Sequence, residues 1–564
     1  MLFRSDPANY RPITLLYSDY RPLAKVLVRR LRPHLPKVIG PEQTAFIKGR
    51  SIGDSIHLLQ LLPHLLAREG RWAMAVFCDF RKAYDTVDRA FLLSILQRLG
   101  VGPGFLAWVR LLLANTRSAA LVNGALSNPE RFNAGVRQGC PLAPLLYLFI
   151  GLALHCFLKA KGVGVTAAGQ QHPGPQYADD YEALLEGGSL TAMQQRVATF
   201  LSAMRTFQAA AGQELNPAKT KLLPIGASPP NTLLPSTIHG LKVVSSATAL
   251  GITFHNGVQP PSADWPGLLA QVEECFTKLS RLRLSAFGRG FSSAAYGIST
   301  LLFHAEYAGF PPAAFQPGRA GRPAGTFAQL ATWTAKLVDR GLAPADTKHK
   351  FSGVRGDLLA APPANGGFGA MPWREHISAR HACWGARLIS AGIPQHQPAD
   401  DVQPASPQQQ PGPPPVPPWV AVARQLLRAV HPTFHPCHLL TLPTTHNWAT
   451  HLPPPLQRMH SGLRSLPFPE VSMPPAGRWC CETPIWGNPL LQPATGGRSL
   501  AEDFPAVAAW LPNCRIRDLT YHHFQLHSLP ALANPFLTPL RLQLHHLLGS
   551  IPAEWREAAV QQQQ

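Results

Sequence analysis

The sequence predicts an α+β fold for its first 255 residues. Met74 to Phe80 is a short apolar run that ends at an Asp, which is typical of a buried strand. Gln176 to Leu185 indicates two strands joined by a turn that carries two acids. Leu190 to Ala211 repeats its apolar residues at helical spacing over a long stretch. Short strands interleaved with longer helices indicate a mixed fold rather than an all-helical one.

The remaining elements follow from the same periodicities. Helices are predicted over Tyr20–Leu35, Ser55–Leu66, Phe91–Leu113 with a break at Gly100–Gly104, Pro144–Leu158, and most of Ala263–Tyr307. Leu241–Phe254 is predicted to be a hairpin. Residues 396–418 form a Pro/Gln-rich stretch with nothing to bury, which is typical of a linker. The Pro-rich segment 419–564 is predicted to be poorly ordered and of unknown role.

The composition bears on whether the chain binds nucleic acid. The 564 residues carry a formal net charge of +20, yet only 15% of them are charged, against about 25% in an average domain. The excess of basic over acidic residues indicates a surface that binds nucleic acid, because cationic side chains release counterions from phosphates. It is equally explained by GC-rich coding, since no Lys follows Lys350.

Two other patterns bear on location. The apolar run Leu145–Leu158 contains His155 and is shorter than the roughly 20 residues of a membrane span, so we expect no membrane partner. The nine cysteines are scattered, and the adjacent Cys480 and Cys481 are too close for ordinary disulfide geometry. A reducing intracellular compartment is therefore expected.

Three segments carry the candidate chemistry. Asp179 and Asp180 are adjacent and repel each other, which favours a bound cation, although a solvated turn explains an isolated Asp pair. Asp79 ends an apolar strand and needs a partner or a metal, or else caps the next segment. Gly135–Pro144 is a glycine-containing loop that would let the backbone approach a ligand, or an ordinary helix entry.

Together these acids suggest one chemistry. Asp79, Asp179 and Asp180 would converge at the ends of neighbouring strands. Three such carboxylates meet the requirement of a two-metal phosphoryl-transfer site. Mg²⁺ prefers carboxylates together with substrate phosphates.

The ordered segments resemble the palm motifs of reverse transcriptases, namely Phe77–Asp85 (FCDFRKAYD), Gly135–Pro144 (GVRQGCPLAP) and Tyr177–Asp180 (YADD). The flanking segments resemble motifs of the fingers, of the region after the palm helix and of the primer grip: Asn9–Leu16, Gln43–Ile52, Gly212–Thr220 and Leu250–Ile252. Downstream segments resemble the LINE-type, or non-LTR, retrotransposon subgroup: Gly366–Gly369, Trp384–Leu388 and Pro484–Leu490.

The resemblance implies a right-hand polymerase fold. Fingers and palm would occupy residues 1–255, with a small antiparallel sheet flanked by helices, and a helical thumb and post-thumb region would occupy 256–395. The implied activity is RNA-directed DNA polymerisation, which extends a DNA 3′-OH on an RNA template with dNTPs and two Mg²⁺ ions, with Mn²⁺ as an alternative. An active enzyme of this kind would be nuclear.

The resemblance also implies residue roles. Asp79, Asp179 and Asp180 would hold the metals, and Lys219 would protonate or neutralise the pyrophosphate. Tyr84 would exclude a ribose 2′-OH, unless it is a core aromatic. Nucleotide contacts would come from Lys48, Arg50, Phe80, Tyr84, Gln138 and Gly139. Nucleic-acid contacts would come from Arg137, Lys278, Arg281, Arg283 and Arg289.

Departures from the family pattern leave alternatives open. Glu182 stands where a small or apolar residue is usual and would add a negative charge near the site. Because Met1 directly precedes the fingers motif, we expect the endonuclease domain of LINE-type proteins to be missing. The chain could then be a non-catalytic nucleic-acid-binding remnant. A group II intron or retron-type enzyme would share the palm motifs but not the downstream ones.

Overall fold

The computed structural model describes residues 13–227, 234–311, 314, 325–349, 355–392, 415–431, 434–442, 447–466, 476–488, 490–491, 500–519 and 537–561. The chain divides into two compact units. The first unit comprises Met1–Pro261 and Pro415–Val422, and the second comprises Ser262–Pro414 and Ala423–Gln564. The start of the first fingers motif and most of the 396–418 linker lie outside the described residues.

A six-stranded sheet is the framework of the first unit. Its order is β11-β12-β10-β1-β9-β8, with β10 and β12 parallel and the other neighbours antiparallel. The described strands are β1 Trp72–Cys78, β2 Arg117–Ser118, β3 Leu121–Val122, β4 Ala125–Leu126, β5 Glu130–Arg131, β6 Val165–Ala167, β7 Gln170–His172, β8 Gln176–Tyr177, β9 Asp180–Glu186, β10 Lys221–Gly226, β11 Thr237–Ile238, β12 Leu241–Val243, β13 Ser246–Ala249 and β14 Ile252–His255.

Helices cover this sheet. They are α1 Tyr20–Leu31, α2 Leu35–Val38, α3 Ile52–Arg68, α4 Arg89–Arg98, α5 Pro103–Leu113, α6 Ala143–Ala160 and α7 Leu190–Ala211. Alternate residues of β1, Trp72, Met74 and Val76, belong to the apolar core formed with α4, α5, α6 and α7. The helix α3 contacts β1, β8 and β10. The predicted α+β class, with a small sheet flanked by helices, is confirmed.

One helix has the composition of a membrane span. By length and hydropathy alone α6 could cross a bilayer, but 61% of it is buried inside the protein. Its buried side chains, including Leu145, Phe149 and Leu158, are part of the same core as β1. The structure therefore uses α6 as a core helix of the first unit.

The predicted hairpin over Leu241–Phe254 is only partly right. The strand β12 lies within that range but pairs with β10 and β11 in the main sheet. Only β13 and β14 form a hairpin with each other. The short pairs β2–β5, β3–β4 and β6–β7 were not predicted. Their strands are two or three residues long, too short to show a period of two.

The second unit is helical in its described part. Its helices are Trp265–Ser280, Ala286–Ser292, a π-helix at Ser293–Ile298, Ser299–Tyr307, Thr326–Arg340, Gly356–Ala360, Trp373–Ser390, His438–Thr441, Asn447–Thr450, Pro454–Ser465, Arg478–Cys481, Leu500–Asp503, Pro505–Trp510, Leu537–Gly549 and Ala553–Gln561. The helix Pro418–Val430 begins in the first unit and ends in the second. Helices thus occur in the C-terminal segment, where the sequence predicted little order.

Candidate active site

The three predicted acids lie at one edge of the sheet. Asp79 directly follows β1, and the turn between β8 and β9 carries Asp179 and Asp180. In the antiparallel register Cys78 faces Tyr181 and Tyr177 faces Asp180. Extending the β1–β9 register by one residue sets Asp79 opposite Asp180. Asp180 is exposed, and Asp79 and Asp179 are half-buried, so solvent reaches this edge.

The β8–β9 turn is tight because of Ala178. Its φ of +58° lies in the left-handed region, which non-glycine residues rarely adopt. Such a conformation persists only where neighbouring groups enforce it. Gln43 supplies that constraint: its Oε1 accepts the Ala178 N–H at 3.0 Å, and its Nε2 donates to the Ala178 carbonyl at 3.3 Å. Gln43 is 2% exposed, so this clamp is shielded from water.

Gln43 begins the segment Gln43–Ile52, which resembles a fingers motif, but the sequence predicted no individual role for it. It lies 135 positions from Ala178 along the chain, and no local periodicity reports such a pairing. The neighbouring backbone is tied in the same way, because Thr44 N donates to the Gln176 carbonyl at 2.9 Å. Gln43 is therefore a positioning residue for the acid-bearing turn.

Asp79 is held from the other side by Asn216. The Asn216 Nδ2 donates to Asp79 Oδ2 at 3.2 Å, and the Asn216 backbone N–H donates to the Asp79 carbonyl at 2.7 Å. The Asp79 N–H in turn donates to Thr220 Oγ1 at 3.4 Å. Asn216 is the second residue for which the sequence predicted a motif but no individual role. The segment Gly212–Thr220, predicted as a family motif, thus lies beside the first acid.

Tyr84 and Tyr147 form a stacked pair beside the acids. Their ring centroids are 4.5 Å apart, and the rings are 20° from parallel. The Tyr147 hydroxyl donates to Gln213 Oε1 at 2.9 Å, and Gln213 Nε2 donates to the Ala83 carbonyl at 2.9 Å. Burial, followed by the Asp179 charge, raises the pKa of Tyr147 well above its ordinary value. Tyr84 is therefore fixed in orientation while its ring stays half-buried.

Glu182, which the sequence suggested would add a negative charge near the site, is a buried residue. It is 3% exposed in β9, opposite Phe77. Burial, followed by the Asp180 charge, raises its pKa well above its ordinary value. Burial therefore disfavours the charged form of this carboxyl.

The loop Gly135–Pro144 packs closely on the start of the described chain. The Gln138 carbonyl accepts the Thr14 N–H at 2.9 Å. Gly139 has a φ of +104°, and a Cβ there would lie 2.6 Å from the Thr14 carbonyl oxygen. A side chain at this position would be disfavoured by both the φ angle and the contact. Gln138 Nε2 lies 3.5 Å from both Asp85 carboxylate oxygens.

The donor set suits a hard divalent cation, because carboxylate oxygens are the ligands that Mg²⁺ prefers. Within the described ranges, no three His, Cys, Asp or Glu side chains stand close enough together to hold an ion as they are. The Asp79 carboxylate is directed to Asn216 instead. The acids therefore share an edge without forming a closed ligand cluster.

Comparison with known proteins finds a family for residues 4–254. Residues 4–254 match the family described as reverse transcriptase (RNA-dependent DNA polymerase). These residues are a reverse transcriptase domain. The matched range contains the sheet and the three acids, and the predicted right-hand polymerase fold is confirmed with it.

Relatives of this domain carry the names of mobile elements. The chain is 35% identical over 158 residues to the Transposon TX1 uncharacterized 149 kDa protein of Xenopus laevis, covering 28% of this chain and 12% of that protein. It is 29% identical over 227 residues to a Pol polyprotein from the type-1 retrotransposable element R2 of Popillia japonica, covering 40% of this chain and 30% of that protein. It is 26% identical over 292 residues to a probable RNA-directed DNA polymerase from transposon BS of Drosophila melanogaster, covering 49% of this chain and 30% of that protein.

The chain spans less than a third of the length of each of these three relatives. Their names agree with the predicted resemblance to non-LTR retrotransposons. Among solved structures, a telomerase from Candida albicans in complex with a fragment of telomeric RNA covers 57% of this chain and 51% of its own, with 11% identity and a TM-score of 0.31.

Arg50 was predicted to bind the nucleotide, and the structure gives its guanidinium another task. Nη1 donates to the carbonyls of Gly40 and Gln43 at 2.5 and 2.8 Å, and Nη2 donates to those of Ile39 and Pro36 at 2.8 and 3.4 Å. Burial lowers its pKa. We therefore assign Arg50 to the fold of the reverse transcriptase domain. Lys48 is exposed on the same loop.

Arg289 needs the same correction. It was predicted to grip nucleic acid, yet its guanidinium donates to the carbonyls of Leu284, Val338 and Asp339 at 2.6, 2.8 and 3.3 Å. These bonds join parts of the second unit and leave Arg289 a structural role. Arg281 and Arg283 are exposed after the helix Trp265–Ser280.

The other predicted residues keep accessible positions. Lys278 is exposed and pairs with Glu274 at 2.7 Å. The Arg137 guanidinium lies over the rings of Tyr20 and Phe132, at 5.4 and 5.7 Å from their centroids. Lys219 is exposed in the turn that binds Asp79, where its N–H donates to the Asn216 carbonyl at 3.2 Å. Phe80 is half-buried and pairs with Leu215 through the backbone.

Proposed function

We propose that the chain is an RNA-directed DNA polymerase, which extends a DNA 3′-OH on an RNA template with dNTPs. The observation that supports this most is the β1–β9 register, in which Cys78 faces Tyr181, so that Asp79 and Asp180 are the next residues at this edge of a reverse transcriptase domain. The names of the relatives support a non-LTR retrotransposon as its source.

The three acids would hold two Mg²⁺ ions, with Mn²⁺ as an alternative. When bound, the ions would activate the primer 3′-OH and stabilise the leaving pyrophosphate. The chain's own contribution is to keep the carboxylates together. Gln43 fixes the turn of Asp179, and Asn216 fixes Asp79. Solvent access to Asp180 leaves room for ions and triphosphate to enter.

The nucleotide would lie against the half-buried face of Tyr84. Because its ring is stacked on Tyr147 and cannot swing freely, it would clash with a ribose 2′-OH and favour dNTPs. Phe80, Gln138 and Gly139 would line the same site. The close contact between Gly139 and the Thr14 backbone would hold the Gly135–Pro144 loop in place. Lys48 would attract the triphosphate and Lys219 the leaving pyrophosphate.

The primer–template would be held by charge and shape. Exposed Lys278, Arg281 and Arg283 would contact duplex phosphates, and Arg137 would lie near the template base. A duplex with an RNA strand is A-like and is recognised through its backbone and 2′-OH groups rather than through its sequence.

Primer extension tests this function. Purified full-length protein is given a DNA primer on an RNA template, Mg²⁺ and dNTPs, beside an Asp179→Ala/Asp180→Ala variant and an Asp88→Asn control. Asp88 is an exposed carboxylate that caps α4, and Asn also caps helices well. We expect extension by the wild type and the control but not by the double variant. Equal, background-level incorporation by all three, with duplex binding retained, would identify a non-catalytic remnant.

A further inference from the structure

A segment that spans the end of the linker and the residues after it is packed into the first unit. Pro415–Val422 belongs to that unit, although about 150 residues of the second unit precede it in the chain. Within it, Trp419, Val420 and Val422 are 0% exposed. A buried indole contributes a large apolar surface, and its N–H requires an acceptor. The acceptor and the neighbouring ring identify where the segment is bound.

Trp419 contacts the first turn of α3. Its Nε1 donates to Asp54 Oδ1 at 2.8 Å, and its ring centroid lies 5.4 Å from that of His57. Asp54 and His57 are 4% and 3% exposed. A buried carboxylate is stable only when hydrogen bonds replace its hydration. Trp419 supplies one of those bonds.

The other carboxylate oxygen of Asp54 takes part in the N-terminal cap of α3. Asp54 Oδ2 accepts the Ser51 N–H at 2.8 Å, and Ser51 in turn caps α3. This capping box follows directly after the loop that carries Lys48. The carboxylate of Asp54 is therefore shared between the start of α3 and the indole of Trp419.

A chain of hydrogen bonds continues from this turn to the acids. Ser55 Oγ lies 2.9 Å from Thr44 Oγ1, which lies 3.0 Å from the Gln176 carbonyl. The preceding residue, Gln43, clamps Ala178 beside Asp179. Residues 43–55 thus lie between Trp419 and the acid-bearing turn, and Lys48 is within them.

We propose that Pro415–Val422 is a strap whose Trp419 positions residues 43–55, and through them the Lys48 loop and the Asp179 turn. Trp419 acts through Asp54 and contacts no substrate, so it is a positioning residue. The catalytic part of this inference rests on the proposed polymerase function. It gives the end of the Pro/Gln linker and the residues that follow a role in the site of a domain that ends far earlier in the chain.

Hydrogen–deuterium exchange of the full-length protein tests the strap without requiring activity. Trp419→Phe keeps an aromatic ring but removes the N–H donor, and Trp108→Phe is the matched control because Trp108 is 42% exposed. We expect peptides covering 43–55 to exchange about tenfold faster in Trp419→Phe, as for one lost hydrogen bond to a charged group. Peptides from β1 should be unchanged. Wild-type exchange over 43–55 would overturn the proposal.

Steady-state kinetics test the consequence for the site. For Trp419→Phe we expect the KM for dNTP to rise about tenfold while kcat stays within about twofold, since nucleotide binding is affected more than the acids. An unchanged KM despite faster exchange would overturn the positioning role. If the wild type itself incorporates no dNTP, the polymerase proposal fails, and the exchange result still decides whether the strap exists.

Discussion

The Asp79 carboxylate is held by Asn216, which lies 137 positions further along the chain. Gln43 holds the Asp179 turn from a similar distance in sequence. Both are neutral amides, so they orient the acids without cancelling the negative charge that attracts cations. At the scale of single residues, the site therefore consists of acids that the sequence reveals and amides that it does not.

Removing the Asn216 side chain should slow the reaction without unfolding the domain. Asn216→Ala loses the 3.2 Å bond to Asp79 Oδ2 but keeps its backbone bond to the Asp79 carbonyl. A hydrogen bond to a charged group contributes about 1.5 kcal/mol or more, so we expect kcat to fall about tenfold. Steady-state dNTP incorporation measures this, with the exposed Asn128→Ala as the control. Equal kcat values for the two variants would contradict the role of Asn216.

His438 should make the stability of the second unit depend on pH. It is 0% exposed, its Nδ1 accepts the His435 N–H at 3.1 Å, and its Nε2 faces the Trp479 carbonyl at 3.1 Å. Both nitrogens are satisfied in the neutral tautomer with the proton on Nε2. Burial lowers the pKa of His438 from 6.5 to about 4. Protonation would place a second donor against the His435 N–H.

A depressed histidine pKa means that the unfolded chain binds the proton first as the pH falls. Stability is therefore present above pH 6.5 and is lost between pH 6.5 and about 4. The loss attributable to His438 is about 3 kcal/mol across that window. Urea unfolding from pH 7 to pH 4.5 should show a shallower pH dependence for His438→Asn than for wild type or for the exposed His451→Asn. Parallel curves for all three would disprove this assignment.

At the scale of elements, strands and helices were predictable where a pattern ran for a whole element. The strand β1 and the helix α7 each showed their period. The acids stand directly after β1 and at the β8–β9 turn. The roles of the basic side chains could not be predicted from such patterns. Arg50 and Arg289 look like free basic residues in the sequence, but folding surrounds each with backbone carbonyls. Trp419 could not be placed because its partner, Asp54, is 365 positions away.

The Gly139 loop shows how an element can require one residue type. Gly139→Ala would combine a positive φ with a Cβ 2.6 Å from the Thr14 carbonyl oxygen, whereas Gly124→Ala meets only the φ, at +85°, with nothing within 4 Å. We expect Gly124→Ala to cost about 1–2 kcal/mol in the free energy of unfolding. Gly139→Ala should cost about 1–3 kcal/mol more. Equal losses in urea unfolding would show that the Thr14 contact does not constrain the loop.

At the scale of the whole molecule, the basic residues behind the net charge of +20 differ in exposure and in hydrogen bonding. The site acids gather at one sheet edge, and exposed cations occur on the Lys48 loop and after the helix Trp265–Ser280. Other basic residues are used internally, as Arg50, Arg71 and Arg289 are. Net charge by itself therefore overstates the surface available to nucleic acid.

Salt dependence should separate these two classes of arginine. If Arg281 and Arg283 contact duplex phosphates, the Arg281→Ala/Arg283→Ala variant should lower the slope of log K against log salt by about 0.9 for each lost contact. Arg289→Ala should lower the thermal midpoint instead, because it removes bonds to three carbonyls. Fluorescence anisotropy with an RNA–DNA duplex at several salt concentrations measures the slope. An unchanged slope for the double variant would exclude these residues as phosphate contacts.

The most direct test of the central claim is the single-turnover rate of adding one dNTP to a DNA primer on an RNA template. Asp79→Asn removes a charge from the proposed metal-holding edge and retains the shape of the side chain, and Asp88→Asn does the same at an exposed helix cap. We predict a loss of at least about a thousandfold for Asp79→Asn, equivalent to roughly 4 kcal/mol of transition-state stabilisation, and wild-type rates for Asp88→Asn. A rate for Asp79→Asn within tenfold of wild type would contradict catalysis by this group of acids.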